Sequence, residues 1–203
     1  MTFITFSNLN LTWMNTPKSW SIDENTKQLV IKPEDETDYW QRTHYDFQHD
    51  NGHFLFQEQH GPFQLKTKVH LHPLHQYDQA GLYIRFDADN WVKASIEFMT
   101  EGENKLGAVV TKQGFSDWST QPIGDDVTSI SFRLSYIDPV CYIDYSLDEI
   151  NWYQIRIGHL PMVPKTVPKV GLYACSPIKA GFSAAFDYLE IHSISDDRTK
   201  VYG

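Results

Sequence analysis

Apolar and polar residues alternate with a period of two along most of the chain, and no 3.6-residue stripe runs longer than two turns. Phe63, Leu65, Thr67, Val69 and Leu71 alternate with Gln64, Lys66, Lys68, His70 and His72. Ala80, Leu82, Ile84 and Phe86 alternate with Gly81, Tyr83 and Arg85. Val92, Ala94, Ile96 and Phe98 alternate with Trp91, Lys93, Ser95 and Glu97. Shorter runs follow at Ile130, Phe132 and Leu134 and at Val170, Leu172 and Ala174. Successive side chains of a strand point to opposite faces, so each run predicts a strand with one apolar face. Turn signals fall between the runs: DNG at 50–52, DADN at 87–90, EGEN at 101–104, GDD at 124–126, DP at 138–139 and LDEIN at 147–151. Many short strands joined this way predict an all-β chain, an antiparallel sandwich or barrel. The proline-rich stretch from Pro161 to Pro168 reads as a surface crossover between strands. With no linker, repeat or low-complexity tract, residues 1–203 are expected to form one domain.

The polar sides of these runs are not uniform. Three of them carry aromatic rings beside charged or polar groups: Tyr83 with Arg85, Trp91 with Lys93 and Glu97, and Tyr173 beside Cys175. The short DADN turn makes the first two a hairpin, which places these side chains on one sheet face. If Arg133 joins that face, it holds rings, two guanidinium forks and a carboxylate. Ring faces stack on sugar C–H groups, while forked donors and carboxylates fix hydroxyls, so the face predicts a groove for a polyhydroxyl or anionic small molecule. The competing expectation is a sheet face covered by a loop, with its charges paired among themselves. Arg85 and Glu97 could then be an ion pair on neighbouring strands.

Composition supports sheet and narrows the partners. Val, Ile, Thr, Tyr, Phe and Trp supply 69 residues against 8 Ala, a balance that favours pleated structure. The net charge of -9 argues against a phosphate backbone as partner, because nucleic-acid binders cluster Lys and Arg. No apolar run approaches the roughly 18 residues of a membrane span. The N-terminal MTFITFSNLNL alternates instead of forming an apolar block, and the first cation is Lys18; no secretory signal and a cytoplasmic location are expected. A chain of 203 residues buries about 70% of its unfolded surface without disulfides, and Cys141 and Cys175 both lie in predicted strands as small buried hydrophobes.

Enzyme signatures are absent: no GxSxG, HExxH, CxxC, P-loop or GxGxxG occurs, no catalytic residue is assigned, and no cofactor is expected. A retaining glycosidase needs two carboxyl groups roughly 5 Å apart, and the same-face neighbours of Glu97 are Ser95 and Met99. Seven of the nine histidines lie between residues 44 and 75, but His70, His72 and His75 complete no recognised metal spacing, so solvated edge histidines are expected and no metal. His53, which follows the DNG turn and enters a strand, is the better functional candidate. Asp87, Asp89 and Asn90 read as a hairpin turn, not a calcium loop. Trp152, after a turn, reads as core or edge packing.

Six segments together carry a family resemblance: DYWQRT (38–43), GHFLF (52–56), YDQAGLYIRFDADNWVKASIEF (77–98), SDWS (116–119), YSLDEINWYQIRI (145–157) and VGLYACSPIKAGFSAAFDYLEI (170–191). From Trp40 to Ile191 the chain resembles the family of the fungal regulation-of-enolase protein and its bacterial relatives. One departure is Glu149, where the family's turn has glycine. The resemblance implies a concanavalin A-like jelly roll, two antiparallel sheets with one concave, in a superfamily of lectins and glucanases. It implies no hydrolase activity, because the E-x-D-x-E strand of the glucanases is missing. On the expected concave face the candidate ligand-binding residues are Trp40, Arg42, His53, Tyr83, Arg85, Trp91, Lys93, Glu97, Trp118, Arg133 and Tyr173, with Trp118 on a loop at the rim. The expected function is a non-catalytic module for a carbohydrate or sugar-like metabolite. The first alternative is a regulatory protein that contacts a metabolic enzyme such as enolase, and the second a glycoside-active enzyme using Glu97.

Overall fold

The computed structural model describes residues 6, 9–44 and 47–201. Most of the N-terminal stretch read above as lacking a signal lies outside these residues. The sixteen described strands run β1 Thr12–Met14, β2 Ser19–Ile22, β3 Leu29–Lys32, β4 Tyr39–Gln41, β5 Gln48–Asp50, β6 His53–Glu58, β7 Phe63–His72, β8 Gln79–Arg85, β9 Trp91–Glu97, β10 Asn104–Lys112, β11 Phe115–Ile123, β12 Ser129–Ile137, β13 Val140–Ser146, β14 Tyr153–His159, β15 Lys169–Cys175 and β16 Ser183–Ser193. Fourteen of them form two seven-stranded antiparallel sheets, ordered β1-β6-β15-β8-β9-β10-β11 and β14-β13-β12-β7-β16-β3-β2, and β4 and β5 pair as a separate two-stranded ribbon. This is the expected sandwich. The 161–168 segment crosses from β14 in one sheet to β15 in the other, as its prolines predict.

The core between the sheets is the apolar set read from the alternation. Phe63, Leu65, Val69, Leu82, Ile84, Val92, Ile130, Phe132, Val170 and Leu172 are all buried in it. Strand β7 repeats its sequence pattern faithfully, burying every second residue from Phe63 to Leu71. His72, at its end, is exposed as expected, but His70 is not. β7 is a central strand, not an edge, so His70 is half-buried and its Nε2 meets Asp187 Oδ1 at 2.9 Å. Among the described residues no three His, Cys, Asp or Glu side chains group as metal ligands, and no helix is long and apolar enough to cross a membrane.

Two glycines in the family-like segments are required by close approach. At Gly171 a Cβ would lie 2.0 Å from the carbonyl oxygen of Leu55, and at Gly81 2.0 Å from that of Ala94. Neither neighbour is a flexible side-chain end, so adjacent strands would have to part. Gly171→Ala is expected to cost about 2 kcal/mol, in the range of core overpacking, read as a lower urea midpoint at unchanged slope. At the departure noted above, Glu149 adopts φ 60°, the left-handed conformation glycine takes easily. The turn is held by Asp148, whose Oδ1 accepts the backbone N–H groups of Ile150 and Asn151 at 2.9 and 2.8 Å. The Tyr188 hydroxyl also donates to the Glu149 carboxylate.

Candidate functional site

Register places the chemistry. The β8–β9 hairpin pairs Gln79 with Glu97, Gly81 with Ser95, Tyr83 with Lys93 and Arg85 with Trp91, so these side chains share one face of the first sheet. β15 adds Tyr173 opposite Gly81. The expected common face therefore exists, but it is divided in two. Arg85 and Glu97 stand at opposite ends of the hairpin, six residue steps or about 20 Å apart, so they are not an ion pair.

The Arg85 end is closed. The two-stranded β4–β5 ribbon lies over it, and Tyr39 packs on Tyr83 with ring centroids 4.6 Å apart and edge-on to Trp91 and Tyr173. Tyr39, Phe54, Tyr83, Trp91, Val109, Tyr173 and Cys175 make a second buried cluster outside the main core. Arg85 reaches Asp50 of the ribbon with both terminal nitrogens, Nη2 to Oδ2 at 2.7 Å, and Nη1 also donates to the Tyr83 hydroxyl at 3.2 Å. Burial pulls the guanidinium down, but the Asp50 bonds more than offset it and hold it above its usual range. Burial pushes the Tyr83 phenol well up, keeping it a neutral hydroxyl. Tyr83, Arg85 and Trp91, named as groove residues from sequence, are enclosed here.

Three other candidates lie outside the groove. His53 is 3% exposed, with Nδ1 2.6 Å from the Asn15 carbonyl oxygen and Nε2 3.1 Å from the Glu34 amide. A carbonyl only accepts and an amide only donates, so the ring is the neutral Nδ1–H tautomer, and it pins two loops together. Arg133 is on the other sheet: β12 lies between β13 and β7, where Arg133 pairs with Asp144 at 2.8 Å and covers the Trp152 ring at 4.7 Å. Arg42 donates to the Gly114 carbonyl at 2.8 Å and faces Asp89 at 3.6 Å, bracing the 87–90 turn.

The Glu97 end is open. A cleft of about 1010 Å³ runs beside the ribbon, walled by Trp40, Phe47, Trp118 and Ile178 and floored by Asp38, Gln79, Lys93 and Glu97. Trp40 and Trp118 meet edge to face with centroids 6.4 Å apart. Trp118 stands on β11 opposite Val109, not on a loop, so its ring is aimed by a strand. On the floor, Lys93 Nζ donates to Gln79 Oε1 at 2.9 Å and to Asp38 Oδ1 at 3.2 Å. The Tyr173 hydroxyl donates to the same Gln79 oxygen at 3.0 Å, steadying it from below. Burial pulls the Lys93 ammonium down, but Asp38 and Glu97 outweigh it and hold it above its usual range. Asp38 and Gln79, both missed from sequence, were within reach of it. Gln79 has the parity of Tyr83 and Arg85, and Asp38 opens the DYWQRT segment.

Glu97 differs from its neighbours. It is 8% exposed, yet its carboxyl makes no hydrogen bond or ion pair among the described residues. Burial pushes it up to about 7, with Lys93 pulling the other way. Its folded value thus exceeds its unfolded one, so the native state holds an extra proton between about pH 4.5 and 7. Stability is expected to fall across that window as pH rises, by at most one proton's slope, roughly 1.4 kcal/mol per pH unit, and to level off above it. Urea unfolding of wild type and Glu97→Gln at pH 5 and 8 checks this, since the variant lacks the slope.

The sequence and the fold both recur in other proteins. Regulation of enolase protein 1 of Saccharomyces cerevisiae is 33% identical over 175 residues, which is 86% of this chain and 85% of that protein. The crystal structure of a functionally unknown protein from Saccharomyces cerevisiae superimposes with a TM-score of 0.83 at 31% identity, covering 91% of this chain and 97% of that one. The GH43 protein BlXynB of Bacillus licheniformis matches at a TM-score of 0.69 and 19% identity, over 88% of this chain but 36% of its own, a likeness of fold alone. The matched region begins earlier than the Trp40–Ile191 resemblance, because β1, β2 and β3 complete the two sheets. The chain belongs to the family described as Protein of unknown function (DUF1349), whose sequence model matches residues 13–194.

Proposed function

We propose that this chain is a non-catalytic binding module whose cleft takes a carbohydrate or a small sugar-like metabolite. The observation that carries this reading is the cleft's division of labour: indole walls at Trp40 and Trp118 over a floor of fixed polar groups, Lys93, Gln79 and Asp38, with Glu97 uncommitted. Aromatic faces take sugar C–H groups, and a few convergent polar groups set orientation, in a volume that suits a small ligand. The enclosed half of the face has no such part; Arg85, Tyr83 and Trp91 hold the ribbon in place. A thermal-shift panel of sugars and glycolytic metabolites tests the reading, since a ligand raises stability by RT ln(1 + [L]/Kd). Trp118→Ala is expected to weaken a binder about tenfold with little change in unliganded stability, because the ring is 36% exposed. If no compound shifts the transition, the reading fails.

A second reading is a regulatory protein acting by contact with a metabolic enzyme, and the name of the yeast relative, Regulation of enolase protein 1, favours it. Purified enolase added to the purified chain and followed by sedimentation tests it directly. A Trp118→Ala chain that loses sugar binding but keeps enolase binding would separate the two surfaces.

A further inference from the structure

The cleft floor contains one charged group with nothing to hold, and its position limits what can occupy the cleft. Glu97 is more than nine-tenths buried and lines the cleft, and its carboxyl has no hydrogen-bonding or ion-paired partner among the described residues. Its oxygens open into the cleft instead of a sealed interior, so their bonding capacity is free for water or for a ligand's donors. The charged and titratable groups facing it come from every side. Lys93 lies on its own strand, Lys105 sits opposite it on β10, Asp38 enters from the segment before β4, and Tyr173 and Cys175 stand on β15. Lys93 is already bonded to Asp38 and Gln79, and burial keeps the tyrosine and thiol protonated.

Resting on the carbohydrate reading above, we propose that the ligand is an uncharged sugar whose adjacent hydroxyls donate to the carboxylate of Glu97. A carboxylate accepts two hydroxyl donors side by side, which is what a vicinal diol presents. A phosphate or carboxylate group is disfavoured. Anion recognition uses free forked donors, and the arginines placed around this face are engaged: Arg85 by Asp50, Arg42 by Gly114 and Asp89, Arg156 by Asp117. An anion on the floor would also meet Asp38 and Glu97 together. The raised proton affinity of Glu97 then acts as a gate, because the competent form is only partly populated near neutrality.

The direction of the pH dependence separates the two ligand classes. A hydroxyl donor needs the ionised carboxylate, so its affinity rises with pH, about tenfold from pH 6 to pH 8. An anion favours the protonated form, and its affinity rises as pH falls. Calorimetry of the full chain uses glucose, galactose, mannose and xylose, their β-1,4-linked disaccharides, and the hexose 6-phosphates, at pH 6 and 8. Repeating each titration in buffers of different ionisation enthalpy counts protons released, without any variant. The expected result is a neutral sugar bound more tightly at pH 8 with release of a fraction of a proton at pH 7. Its phosphate should bind at least tenfold more weakly, and Glu97→Gln should bind weakly and without pH dependence. A phosphate that binds better than its parent sugar, or a neutral sugar whose binding is flat in pH, overturns this inference and leaves the cleft as a binding site. No binding by any compound at either pH overturns the carbohydrate reading itself, and this inference with it.

Discussion

Trp91→Ala is expected to destabilise the chain by about 4 kcal/mol and leave the Glu97 end of the cleft able to bind, a pairing that a ligand-contacting tryptophan would not give. Trp91 is fully buried, edge-on to Tyr39 at 6.4 Å and to Tyr83 at 5.6 Å, with its indole N–H donating to the Ala88 carbonyl at 3.1 Å. Truncation removes the transfer energy of the ring, leaves a cavity between ribbon and sheet, and strands that carbonyl. Cavities of this kind collapse poorly when their lining is itself aromatic and strand-mounted. For a chain of this length the loss corresponds to a melting temperature lower by roughly 10 °C. Trp118→Ala, at the other end of the same face, is expected to show the opposite balance, with near-native stability and weakened binding. Thermal denaturation of both variants in parallel is the check, and equal destabilisation would mean the face is not divided where the geometry divides it.

That division explains which parts of the site the sequence reveals. The β8–β9 hairpin is legible because both strands are seven residues long, alternate strictly and are joined by five residues that include the DADN turn with its own side-chain signals. Alternation orders residues about a strand and therefore puts Tyr83, Arg85, Trp91, Lys93 and Glu97 on one face. It cannot say what lies above that face. The covering ribbon is made of two three-residue strands, YWQ and QHD, too short to display any period. Aromatic residues on an outward face consequently look the same in sequence whether they await a ligand or a ribbon. Arg133 illustrates a second blind spot. Its own strand places it on the side opposite Phe132 and Leu134, but membership of a sheet is decided by pairing between segments 59 to 73 residues apart, Ser129–Tyr136 with Phe63–His70. Local pattern holds no record of that. Gln79 and Asp38 are different, since Gln79 shares the parity of Tyr83 and needed only one more step of the same alternation.

Asp50→Ala tests the closed half from its polar side and is expected to cost about 3 kcal/mol, most of it from the charge left behind. Arg85 is 7% exposed and sends both terminal nitrogens to Asp50, so removing the carboxylate strands a guanidinium in an aromatic enclosure, where it cannot lose its proton. Asp50 is a third exposed in its side chain, which lets some water reach the gap and keeps the cost at the lower end for a buried pair. The double variant Asp50→Ala, Arg85→Met removes the stranded charge and fills its volume with a flexible apolar side chain. Because a buried ion pair gains little over a well-packed apolar replacement, the double variant is expected to recover most of the stability lost by the single one. Urea unfolding of the four chains closes the cycle. If Arg85 instead served a ligand, Asp50→Ala would alter binding with little loss of stability, and the double variant would abolish binding; the enclosure of Arg85 beneath the ribbon predicts that neither variant changes affinity at the Glu97 end. The result also bears on how the cleft is built, since Asp50 on β5 and Asp38 ahead of β4 lie at the same end of the ribbon and fasten it to the sheet through Arg85 and Lys93 respectively. The ribbon that closes one half of the face thereby forms a wall of the other. Trp40, carried on its first strand, meets Trp118 edge to face, and the Asp38–Lys93 bond fastens β4 there independently of the Asp50–Arg85 pair.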